Sequence, residues 1–214
     1  GKAIKAAGYS YVSVSDEAVM EDCIQMSDYK TIDFIFGEEK ETDLPDKSIR
    51  SFFKIFPKKL KEKIEDYCDL GGDLFISGAY LGSAMFATPR DTTIDTRFAR
   101  EILKYQLETR HAVRNGKVFT ADTNFAHMDF EFEFNTKFSK NIYKVEAPDA
   151  IVPANKDSAQ TILRYKENRF SAGIGYQSNK YDLVLTAFPF ETILGEKARI
   201  LFMQYVLDYL KNEE

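Results

Sequence analysis

Three short stretches carry residues whose types and spacing could do chemistry. The first is Gly78-Ala79-Tyr80-Leu81-Gly82, which follows the apolar run Asp73–Ser77 without a gap. Glycines on both sides of one residue, between a strand and a helix, are the layout of a nucleophile elbow. Small neighbours there let a strained residue project beside a helix N-terminus. The residue at the centre is Tyr80, and a phenol with an ordinary pKa of about 10 is a poor nucleophile. Ser77 and Ser83 flank the turn, but neither stands at its centre. The other two stretches are acidic: Gly37-Glu38-Glu39 and Phe188-Pro189-Phe190-Glu191. Glycoside hydrolysis needs paired carboxylates. Glu38, Glu39 and Glu191, with Ser77, Gly78 and Tyr80, therefore form one candidate set for a strand-end pocket. Each has a structural reading beside it. Consecutive acids after a strand commonly cap helices or face water, and a glycine-rich turn needs no chemistry. Asp33, inside an apolar run, reads as a hydrogen-bonded structural acid, and His127 reads as a loop residue.

Other chemistries find less footing. Cys23 and Cys68 show neither CxxC spacing nor a nearby histidine, so they fix no redox compartment. His111 and His127 do not group as metal ligands, and neither a metal nor a cofactor is expected. The net charge is −5 with mixed signs. That argues against a nucleic-acid partner, which requires a clustered basic surface. No apolar run reaches the length of a membrane span.

The pattern of elements says what must position these residues. Thr31–Phe36 (TIDFIF) and Tyr181–Phe188 (YDLVLTAF) are apolar enough for buried parallel strands. Pro57 suits the first position of a helix whose apolar face is Leu60, Ile64, Tyr67 and Cys68. Gly71-Gly72 ends that helix, and strand Asp73–Ser77 follows at once. Further helices are expected from Asp16 to about Cys23, from Asp95 to Tyr105, and from Gly195 to Leu210. Residues 40–54, charged and holding Pro45, read as a loop. The middle of the chain changes character. Asn115-Gly116 predicts a type I′ hairpin joining 111–114 to 117–121. Phe130–Phe134 alternates Phe and Glu as a strand with one wet face, and Thr161–Lys166 with Phe170–Tyr176 forms a second hairpin. About 109–176 thus reads as a β-rich antiparallel insertion in a single α/β domain. Lys2–Gly8 reads as the end of a helix with a C-cap glycine, which suggests a piece of a longer protein.

Two resemblances sharpen these expectations. Asp66–Gly78 (DYCDLGGDLFISG) and Val184–Ile193 followed by a long helix resemble class I glutamine amidotransferase-like domains. That implies a three-layer, flavodoxin-like parallel sheet. Gly8–Ala18 and Ser77–Gly82 resemble the C-terminal region of large secreted bacterial proteins described as xanthan lyases. This second resemblance implies a secreted or cell-envelope location, with polysaccharide and the other domains of the same polypeptide as partners. The departure from the amidotransferase pattern is at the chemistry. The elbow holds Tyr80 where those enzymes carry cysteine, and no histidine follows the last strand. Glutaminase activity is therefore not expected. The leading expectation is a non-catalytic binding or packing module; the alternative is a lyase or hydrolase using the strand-end carboxylates and Tyr80, and a third is a small-molecule sensor whose ligand sits over the Gly78–Gly82 turn.

Overall fold

The computed structural model describes residues 1–39, 55–86, 94–127 and 129–211. The expected loop at 40–54 lies outside them. Nine strands and six helices appear among the described residues. The helices are α1 (Lys2–Ala6), α2 (Asp16–Met20), α3 (Lys58–Asp69), α4 (Leu81–Met85), α5 (Ile94–Glu101) and α6 (Glu196–Tyr209). The strands are β1 (Thr31–Gly37), β2 (Asp73–Gly78), β3 (Tyr105–Thr109), β4 (Lys117–Thr120), β5 (Glu131–Glu133), β6 (Ala150–Pro153), β7 (Ala159–Tyr165), β8 (Ser171–Tyr176) and β9 (Leu183–Thr186). No helix among the described residues is long and apolar enough to cross a membrane.

Seven strands form one sheet in the order β1-β2-β9-β8-β7-β4-β5, and β3 pairs with β6 in a second, two-stranded sheet. Only β1–β2 and β2–β9 run parallel. The remaining neighbours, from β9 through β5, are antiparallel. This overturns the expected flavodoxin-like parallel sheet. The fold is α/β, but the sheet is mixed. The β-rich middle is not an insertion beside a finished sheet, because β8, β7, β4 and β5 extend it directly. The misreading has a physical cause. A strand buried on both faces reads the same whether its neighbour runs parallel or antiparallel. In β9, all four residues are buried, yet it has one neighbour of each kind.

Aromatic side chains fill both faces of the sheet. On one, Phe36 of β1 packs edge-on against Phe56 at 4.8 Å, and Phe56 against Phe98 of α5 at 5.4 Å. On the other, Phe75 of β2 meets Phe190 and Phe202 of α6. Most of the Phe side chains among the described residues therefore serve the core. The hydroxyl of Tyr67 on α3 donates to the carbonyls of Tyr29 and Lys30, tying the helix to the start of β1. Gly72 must be glycine because a Cβ there would stand 2.1 Å from the Tyr67 ring.

Several boundaries depart from expectation. Helix α5 stops at Glu101 and Tyr105 begins β3, because that ring is fully buried and its hydroxyl donates to the Leu81 carbonyl. Helix α2 ends at Met20, which leaves Cys23 exposed beyond it. The hairpin around Asn115-Gly116 does not form. Strand β4 pairs with β5 and β7 instead, while the N–H groups of Arg114 and Asn115 donate to the Glu167 carboxylate. Gly116 is required for a different reason: a Cβ there would fall 2.0 Å from the Phe134 carbonyl oxygen. The hairpin of β7 and β8 forms as expected, with Arg169 at φ 66° in its turn.

Candidate functional site

The carboxyl ends of β1 and β2 lie side by side. Gly37 pairs with Gly78, and the Ala79 N–H donates to the Gly37 carbonyl at 2.8 Å. Tyr80 follows as the N-cap of α4, with φ −121° and ψ 23°. Its φ is negative, so Tyr80 does not take the left-handed backbone that strains a non-glycine residue. The side chain is 5% exposed. Its hydroxyl donates to Glu38 Oε1 at 3.2 Å. Burial, then the neighbouring Glu38 carboxylate, push the phenol well above its ordinary pKa. In this setting the Tyr80 hydroxyl acts as a hydrogen-bond donor to Glu38.

Strand ends of an open sheet normally leave a crevice for ligands. Here the segment 135–149 lies across it. Glu38 Oε1 also accepts the backbone N–H of Glu146 at 3.0 Å. Tyr143 donates its hydroxyl to Glu191 Oε1 at 2.5 Å. The Asp149 N–H donates to the Ala79 carbonyl, and Asp149 Oδ2 accepts the Ser83 N–H at 2.6 Å, which satisfies the start of α4. Burial raises the Asp149 carboxyl, while its bond from Ser83 and the charges of Arg110 and His111 pull the other way. The Tyr165 hydroxyl, fully buried, donates to the Asp149 carbonyl and so fixes the segment from below.

Of the sequence candidates, Glu38 and Tyr80 are brought into direct contact. Glu191 is bonded to Tyr143 rather than to either of them. Glu39 is exposed, with its carboxyl raised by partial burial and by the charges of Asp16 and Glu17. Ser77 is completely buried, and its Oγ has no partner among the described residues. Gly78 holds β2 close to β1: a Cβ there would lie 3.1 Å from that of Phe36. Asp33 departs from its structural reading. Its Oδ1 is shielded from solvent and accepts no hydrogen bond among the described residues, and Glu191 Oε2 is in the same condition. Burial lifts the Asp33 carboxyl to about 7, with the Gly1 amino group opposing and the Glu191 charge adding.

The sequence missed Tyr143, Glu146 and Asp149. They stand in a polar stretch with no helical or strand period, so no local signal marks them. Neither cysteine reaches the strand ends: Cys68 is buried on α3, its thiol pushed up to about 12 by burial, and Cys23 is exposed elsewhere.

No family model matches the chain, and no curated protein matches it. Solved structures do. A β-galactosidase from Rahnella sp. R3 superposes with a TM-score of 0.57 at 9% identity, over 100% of this chain. A cytoplasmic protein of Salmonella typhimurium LT2 gives 0.49 at 14% identity, covering 88% of this chain and 76% of that one. An exo-β-1,4-mannosidase from Opitutaceae bacterium strain TAV5 gives 0.44 at 10% identity, covering 73% of this chain and 24% of that one. The chain spans 26% of the galactosidase. What it shares with that larger enzyme is a fold.

Proposed function

We propose that this domain is a non-catalytic module of a secreted or cell-envelope protein that handles polysaccharide, of the kind described as xanthan lyase. Its strand ends serve packing and binding, not bond cleavage. One observation carries the reading. The position where a reactive group would have to stand holds Tyr80, buried and bonded to Glu38, under a segment anchored at Glu38, Ala79, Ser83 and Glu191. A general base must reach its substrate within hydrogen-bond distance and titrate near the working pH. The burial of Tyr80 and the upward push on its phenol support the non-catalytic reading. The polysaccharide link and the location rest on the sequence resemblance.

The second reading is a lyase or hydrolase using Glu38, Glu191 and Tyr80. The observation in its favour is the Glu38–Tyr80 contact, with Tyr143–Glu191 beside it. Incubation with xanthan and related acidic glycans separates the two. The module should release no new reducing ends and no unsaturated-uronate absorbance. Turnover that is lost in Tyr80→Phe would overturn the reading.

A further inference from the structure

Residues 135–145 form a closed loop whose ends meet where the Val145 N–H donates to the Asn135 carbonyl at 2.8 Å. A buried side chain organises its interior. Asn135 Nδ2 reaches the carbonyls of Lys137, Ile142 and Tyr143, each at 2.9 Å. Asn135 Oδ1 accepts the Lys137 N–H, and Ser139 Oγ accepts the Asn141 N–H. The Asn135 backbone is itself bonded to the Thr192 carbonyl. A loop wired in this way holds its tip in one shape.

That tip is Lys137-Phe138-Ser139-Lys140-Asn141, and Phe138 is 90% exposed. Single exposed apolar residues are common. The setting of this one is not: it stands on a stapled loop, with Lys137 immediately before it and Lys140 two residues after it in the chain. Residues 136–145 contain no acid; Lys144 pairs with Glu146 at 3.5 Å, which leaves Lys137 and Lys140 at the tip, in a chain whose net charge is −5. A loop backbone already held in place loses little entropy on binding. Its partner should offer a flat C–H surface for the ring and negative charge for the lysines.

We propose that this loop tip docks an acidic polysaccharide. The Phe138 ring takes the face of a pyranose, Lys137 and Lys140 take uronate carboxylates on either side, and Ser139 and Asn141 meet hydroxyls. The inference rests on the polysaccharide-module reading and names the surface through which such a module would bind. An anionic bilayer fits less well. Electrostatic membrane docking uses clusters of about four to eight basic residues or a large apolar face, and this tip has one ring and two lysines.

The test is affinity electrophoresis and calorimetric titration of the 214-residue chain. The probes are polygalacturonate, neutral dextran, and vesicles of phosphatidylserine with phosphatidylcholine. The wild type should bind polygalacturonate in preference to dextran, and high salt should weaken that binding. Phe138→Ala, and Lys137→Ser with Lys140→Ser, should each weaken it about tenfold with no change in melting temperature. Asn135→Ala, which loosens the loop while keeping the ring, should weaken it less. Polygalacturonate binding that survives both tip variants would sink this inference and leave the module reading standing. A wild type that binds no glycan would sink both. Phe138-dependent binding to vesicles without glycan binding would replace the sugar with a lipid headgroup.

Discussion

The Tyr143 hydroxyl donates to Glu191 Oε1 at 2.5 Å, and the two oxygens sit directly over Gly37. A Cβ on Gly37 would come within 3.2 Å of the tyrosine oxygen and 3.4 Å of the glutamate oxygen. The residue also has φ +54°, a region that side chains rarely occupy. Gly37→Ala should therefore destabilise the domain by about 1–2 kcal/mol and loosen the segment across the strand ends. Chemical denaturation and faster amide exchange at Glu146 would register it. A neutral result would mean that the segment is not held there.

Tyr80→Phe removes the donor to Glu38 and leaves the ring in place. Glu38 keeps the Glu146 N–H, so the loss should be modest, about 1 kcal/mol. Melting curves of the two proteins measure it. A stability loss with no change in any glycan assay is the expected pair of outcomes.

Asp149 carries a heavier duty, since it satisfies the Ser83 N–H at the start of α4. Asp149→Ala would leave that N–H unpaired in a partly buried place, at a cost of about 1 kcal/mol. Asp149→Asn keeps an acceptor and should recover most of the loss. Equal losses in both variants would mean that charge, not hydrogen bonding, matters at this position.

Asp33 sets a pH dependence. Its carboxyl stands at about 7 in the fold against 3.8 as the ordinary value, chiefly through burial. Between those values the folded chain retains a proton that the unfolded chain releases. Asp33 therefore lowers stability progressively as pH rises through that window, and the effect levels off above it. Asp33→Asn holds no such proton. Its melting temperature should match wild type near about pH 4 and exceed it near about pH 8. Parallel curves for the two proteins would show a solvated Asp33.

The cysteines should separate cleanly by reactivity. Cys68 is buried with its thiol pushed up to about 12, whereas Cys23 is exposed. Since the thiolate is the reactive form, iodoacetamide at mildly alkaline pH should label Cys23 alone in the native protein and both after denaturation. Mass spectrometry of the two samples decides it. Native labelling of Cys68 would mean that α3 opens readily.

The sequence alone determined the elements with strong local signals. The apolar face of Leu60, Ile64, Tyr67 and Cys68 specifies α3, Gly71-Gly72 its end, and the Phe–Glu alternation the wet and dry faces of β5. It also placed Glu38 and Tyr80 at strand ends, because each follows an apolar run closed by a glycine turn; that the two strands are neighbours came from the structure. Only the tertiary structure decided that the parallel and antiparallel strands join into one mixed sheet, since a residue buried on both sides carries no record of which strand lies beside it. It alone decided that Gly116 serves close approach to Phe134 and not a turn. It also brought Tyr143, Glu146 and Asp149 onto the strand ends. Those contacts join residues as far apart as Glu38 and Glu146, and long-range pairing of that kind leaves no period in the chain to be read.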